Sequence, residues 1–76
     1  MNLQEFIKAF EEALELPAGQ TTPDMLLSSI TRYDSMGRLA IMAMADTMLR
    51  VVLDADAMER CKTVGDLHAL VVNRAQ

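Results

Sequence analysis

The stretch Thr31-Arg32-Tyr33-Asp34-Ser35-Met36-Gly37-Arg38-Leu39-Ala40-Ile41-Met42-Ala43-Met44-Ala45 decides the fold. It begins in polar, turn-forming residues and passes at Ser35 into a run of Ala, Leu and Met, which are strong helix formers. The helical pattern runs from Ser35 to about Val52, through Met36, Leu39, Ile41, Met42, Met44, Met48, Leu49 and Val52. Its polar positions are few: Arg38, Asp46, Thr47 and Arg50. A helix apolar on more than one face sits centrally in a bundle or shows an apolar strip to a partner. Met42, Met44, Met48 and Leu49 are expected in the core, whereas Met36 and Leu39 flank Ser35 as an adaptable apolar contact patch.

Working outward, Leu3, Phe6, Ile7, Phe10 and Leu14 fall at helical spacing between Gln4, Glu5, Lys8, Glu11, Glu12 and Glu15. That is an amphipathic helix, expected to stop near Leu16 because Pro17 and Gly19 follow. Glu5, Glu11, Glu12 and Glu15 read as its solvated face. The segment from Leu16 to Asp34 is rich in Pro, Gly, Thr and Ser, with Thr21-Thr22-Pro23-Asp24 as a turn or short helical start. Connections longer than ~12–15 residues tend to be functional or disordered, and the anchors Met25, Leu26, Leu27 and Ile30 argue for a packed one. After the central helix, Asp54 to Lys62 reads as a short helix or turn carrying Ala57, Met58 and Cys61. Thr63 then caps a last helix, with Asp66 at the N3 position of a capping-box arrangement. Val64, Leu67, Leu70 and Val71 form its stripe; His68 lies off it and is expected to face solvent. Cys61 reads as a small buried hydrophobe. The expected fold is all-α: a four-helix bundle of three longer helices and one short one, with a long loop between the first two. Residues 1–76 are expected to make a single domain.

The 76 residues bound the chemistry. A chain this short buries only ~60% of the surface its unfolded form exposes, so a deep active site built from distant segments has little room. Eleven acidic residues against seven basic ones give a net charge of -4, and no Lys/Arg cluster stands ready to neutralise phosphates, so a nucleic-acid partner is not expected. Cys61 is the sole cysteine and His68 the sole histidine, which leaves no disulfide, no catalytic set and no metal site. The first residues lack the charge and apolar run of a signal peptide, and no apolar stretch reaches ~18 residues. The expectation is a cytoplasmic domain that is not an enzyme and has no membrane span.

Ser35 stands where a long loop gives way to a helix. The first N–H groups of a helix have no intrahelical partner and carry the positive end of its dipole, so a phosphate ester on that serine would be stabilised there. Asp34 either caps the helix or orients the hydroxyl and assists a metal ion during phosphoryl transfer. On local chemistry alone, a plain helix cap by Asp34 or Ser35 is the favoured reading of the two residues.

The wider pattern separates these readings. Asp34-Ser35-Met36 resembles the Asp-Ser-Leu of the acyl carrier protein family, whose serine at the start of the second helix carries 4′-phosphopantetheine. Met36 stands in for Leu. The resemblance covers nearly the whole chain: the amphipathic first helix, the long loop, the Ser-led helix, the short third helix and the Thr63-Val64-Gly65-Asp66-Leu67 opening of the last. It implies covalent 4′-phosphopantetheine on Ser35, supported by Asp34, with cargo held as a thioester on the arm's thiol. It implies a phosphopantetheine transferase as partner, followed by acyl- or aminoacyl-activating and acyl-transferring enzymes that a monomeric carrier meets transiently through Met36, Arg38 and Leu39.

The departures narrow the type. The family's fatty-acid members place several Glu and Asp along the second helix. Here Gly37, Arg38 and Ala40 stand in that region, and Arg38 and Arg50 against Asp46 give it a net charge of +1. The Gly-Gly pair that precedes the serine of peptidyl carriers is absent. The aromatic-Asp-Ser-Met-Gly-Arg-Leu run, with Cys61-Lys62-Thr63-Val64-Gly65-Asp66-Leu67 later, is most similar to free-standing carriers of specialised pathways. A D-alanyl-type aminoacyl carrier and an unmodified helical adaptor are the alternatives. Ala40, Ala43 and Ala45 either leave room for an acyl chain or permit close helix packing.

Overall fold

Asn2 starts the first helix. Its Oδ1 accepts the Glu5 N–H at 2.8 Å, and Glu5 Oε1 accepts the Asn2 N–H at 3.0 Å, which satisfies two donors that a helix end leaves open. From there a computed structural model, which describes residues 1–75, shows α1 (Leu3–Leu14), α2 (Ser35–Leu49), α3 (Ala55–Glu59) and α4 (Val64–Arg74). A 3-10 turn at Leu27–Ser29 interrupts the α1–α2 loop, and no strand occurs among the described residues. The expected all-α architecture of three longer helices and one short one is the observed one.

Phe6, Phe10 and Leu14 of α1, Ile41 and Ala45 of α2, Met58 of α3, and Val64, Leu67 and Val71 of α4 form the buried core. Two ends differ from the sequence reading. The first helix closes at Leu14, not Leu16, because Glu15 turns left-handed (φ 57°) and the Leu16 N–H reaches back to Glu11 O at 2.8 Å. The second closes at Leu49, not Val52: Arg50 turns left-handed (φ 55°), and the Val51 N–H bonds Ala45 O at 3.2 Å. That reversal buries Val51 and Leu53 and leaves Val52 78% exposed. Left-handed backbone disfavours a side chain, so Arg50→Gly is expected to raise stability by about 0.5–1 kcal/mol, seen as a higher urea midpoint at unchanged slope.

The long loop is held from both sides. Backbone bonds run from the Leu27 N–H to Lys62 O at 2.9 Å, from the Val64 N–H to Met25 O at 3.1 Å, and from the Gly65 N–H to Pro23 O at 2.8 Å. On the other side Glu11 is buried, not on the solvated face expected for it. Its carboxylate accepts the N–H groups of Gly19 (3.1 Å), Gln20 (3.1 Å) and Thr21 (3.0 Å). Burial by itself pushes the Glu11 pKa up, but those hydrogen bonds stabilise the charged form and win, so the net shift is downward. Leu27 and Ile30 anchor the loop in the core as expected, while Leu26 points outward beside its isolated backbone pairing with Thr63.

Other side chains depart from expectation. Met48 is 54% exposed instead of core: it lies over an open part of the α1–α2 groove, bordered on α1 by Ala9 and by the charged, exposed Glu12. His68 is half-buried instead of solvent-facing: its ring packs on Phe6, with centroids 5.4 Å apart, and Nε2 lies 3.1 Å from Met1 O. Cys61 is half-buried, with its Sγ 3.6 Å from Ala57 O. The Thr63–Asp66 capping box forms as expected, with reciprocal bonds of 3.1 Å.

Candidate functional site

Ser35 is the first residue of α2, and its side chain is exposed. Asp34 is the N-cap: its extended backbone turns the chain into the helix, and Oδ1 accepts the Gly37 N–H at 2.9 Å. The Arg38 N–H bonds Asp34 O at 2.8 Å and closes the first turn. With the Gly37 N–H taken by the cap, the N–H groups of Ser35 and Met36 have no acceptor among the described residues. They point out of the helix end beside the Ser35 hydroxyl, where the dipole is positive.

Gly37 fixes how the loop meets this helix. A Cβ there would lie 2.1 Å from Arg32 O and 3.1 Å from a methyl carbon of Leu14. Only a hydrogen lets the loop carbonyl pass that close to the α2 backbone. Tyr33 completes the junction: its ring stacks on Phe10 with centroids 6.1 Å apart, and its hydroxyl is buried without a hydrogen-bond partner among the described residues. Burial pushes the Tyr33 pKa up, and the nearby Arg38 charge opposes that shift.

The three expected recognition residues border two adjoining depressions around Ser35. Arg38 and Leu39 line a cleft of about 320 Å³ between α2 and α3, together with Ser35, Met42, Ala55 and Met58. Met36, three residues before Leu39 on the exposed face of α2, borders a second depression with Ala13, Asp34 and Arg32, where Arg32 pairs with Glu15 at 3.4 Å. Met36 is 73% exposed and Leu39 59%, so the apolar surface beside Ser35 faces solvent. Among the described residues no cluster of three or more His, Cys, Asp or Glu is placed to hold a metal ion. No helix there is long and apolar enough to cross a membrane.

No family model and no curated protein matches the chain in sequence. In structure it is similar to the solution NMR structure of a holo acyl carrier protein from Geobacter metallireducens. The two share 17% sequence identity with a TM-score of 0.78, over 97% of this chain and 86% of that one. The fold is that of an acyl carrier protein. Four helices, the long first loop and a helix opened by Asp34-Ser35 therefore stand in a scaffold that sequence comparison alone does not reach. Sequence reasoning met Gly37 and Tyr33 only as parts of the motif and gave neither a structural role at the junction of loop and helix.

Proposed function

We propose that this chain is a carrier domain that holds acyl or aminoacyl groups as thioesters on a 4′-phosphopantetheine arm attached to Ser35. The observation that supports it most is the placement of Ser35: an exposed hydroxyl at the first position of α2, behind a long packed loop, in an acyl-carrier scaffold. The surroundings fit a phosphodiester. Two uncommitted N–H groups flank the hydroxyl, and Arg38 places a cation in the same cleft.

In the attachment step Ser35 Oγ is the nucleophile. It forms a bond to the pantetheine-side phosphorus of coenzyme A as the pyrophosphate linkage breaks, adenosine 3′,5′-bisphosphate leaves, and the hydroxyl proton passes to a base of the transferase. The bound arm then supplies the thiol that carries the cargo. Asp34 keeps the helix end capped, so the serine stands on a fixed turn. The chain itself performs no catalysis in this reading.

Partner choice follows from the outer face of α2. Asp46 is its one acid, while Met36, Leu39 and Ala43 leave it largely apolar. This face suits partners that dock by apolar contact more than by a basic patch, which supports a carrier of a specialised pathway. The test is transfer of a fluorescent pantetheine from a coenzyme A analogue by a broad-specificity transferase. Label is expected on the wild type and on the Ser28→Ala and Ser29→Ala variants, and none on Ser35→Ala. Equal labelling of Ser35→Ala would refute the assignment, and the absence of label from every form would favour an unmodified adaptor.

A further inference from the structure

We infer that Arg38 is the positioning residue for the arm on Ser35, its guanidinium pairing with the phosphodiester and turning the arm into the cleft between α2 and α3. The inference rests on the carrier reading above. Ser35 and Arg38 are three residues apart, hence neighbours on one side of the helix, and both line that cleft. Attachment would set a negative phosphodiester beside the Asp34 carboxylate, which the Gly37 N–H already engages. Like charges that close repel, and a cation beside them offsets the repulsion.

Two arginines flank the site, and only one is uncommitted. Arg32 lies on the α1 side of the helix and pairs with Glu15 at 3.4 Å. Arg38 forms no ion pair among the described residues. Arg38 is half-buried, so its apolar stem lies along the cleft wall while its head reaches solvent. A guanidinium offers paired donors that match two phosphate oxygens. Tethering removes the association cost that makes free surface ion pairs weak. Beyond Arg38 the cleft floor is apolar, made of Leu39, Met42, Ala55 and Met58, and its volume of about 320 Å³ accepts a narrow chain. Charge at the mouth and apolar atoms beyond set a direction for the arm: across α2 toward α3.

The test compares wild-type, Arg38→Gln and Arg38→Lys proteins, each loaded from coenzyme A by a transferase and checked by intact mass and amide NMR spectrum. On loading, the wild-type Arg38 Nε–H resonance should shift, and nuclear Overhauser contacts should appear between the arm and the Met42 and Met58 methyls. Arg38→Gln should lose at least half of that contact intensity, and Arg38→Lys should keep part of it. Raising the salt to about 0.5 M should weaken the wild-type contacts toward the Arg38→Gln level. A loaded wild type with an unmoved Nε–H, or a loaded Arg38→Gln with undiminished contacts, overturns the inference alone. A wild type whose mass does not change overturns the carrier reading and this inference with it.

Discussion

Gly37→Ala is expected to melt about 10 °C or more below the wild type, a loss of about 2–3 kcal/mol. The sign is the informative part. At an ordinary site within a helix the same change stabilises by up to about 1 kcal/mol, because alanine is the better helix former. Here the added methyl would stand 2.1 Å from the Arg32 carbonyl oxygen, a backbone atom that no rotamer change can move. The loop must shift, and it carries Tyr33 off its stack on Phe10 and Asp34 off its cap. Loading of Ser35 by a transferase should therefore slow even at temperatures where the variant is folded. Thermal melts followed by circular dichroism check the first effect, and loading rates at 15 °C the second. A melting point at or above that of the wild type would show that the loop does not bear on α2 at this residue.

Glu11→Ala is expected to cost about 2 kcal/mol, because it strips the acceptor from three loop N–H groups at once. Glu11→Gln should cost less, since its amide oxygen keeps one of the two acceptors that the carboxylate uses. The pH dependence separates this from a plain packing loss. The folded-state Glu11 pKa lies below its ordinary 4.5, so the unfolded chain takes up a proton first as the solution is acidified. The stability it contributes is complete above pH 4.5 and is lost as pH falls through the folded-state value. Asp66, held down by the Lys62 and Thr63 N–H groups, and Asp54, held down by the Ala57 N–H, shift in the same direction from 3.8. Wild-type stability should thus decline from about pH 5 downward, and Glu11→Ala should decline less steeply over the same range. Urea midpoints measured from pH 7 to pH 3 test this, and parallel curves for the two proteins would remove Glu11 from the acid transition.

Most of the scaffold is legible in the sequence because the caps and stripes are local. Asp34 and Thr63 sit where their side chains meet the N3 backbone N–H, and Phe6, Phe10, Val64, Leu67 and Val71 repeat at helical spacing onto one core. What local pattern does not supply is cover. Met48 falls in the middle of the buried arc of α2, yet the α1–α2 groove is open there. His68 lies one turn from both Val64 and Val71, at the margin of their stripe, and Phe6 of α1 takes its ring. Glu11 borders the apolar stripe of α1 as well; its partners come from residues 19–21, which no helical pattern links to it. Gly37 carried the clearest unread signal. A glycine in the first turn of a strongly helical run is costly unless something passes close to it, and the Arg32 carbonyl does. The helix ends at Glu15 and Arg50 were unreadable for the opposite reason, since each makes a left-handed turn without glycine.

The central claim is that Ser35 carries the arm, and one measurement addresses it most directly. The wild-type chain is incubated with coenzyme A and a phosphopantetheine transferase, its intact mass is taken, and the loaded protein is fragmented to locate the addition. One phosphopantetheine is expected per chain, confined to the peptide holding Asp34-Ser35-Met36. An unchanged mass with several transferases, or an addition mapped to any other residue, would contradict the account.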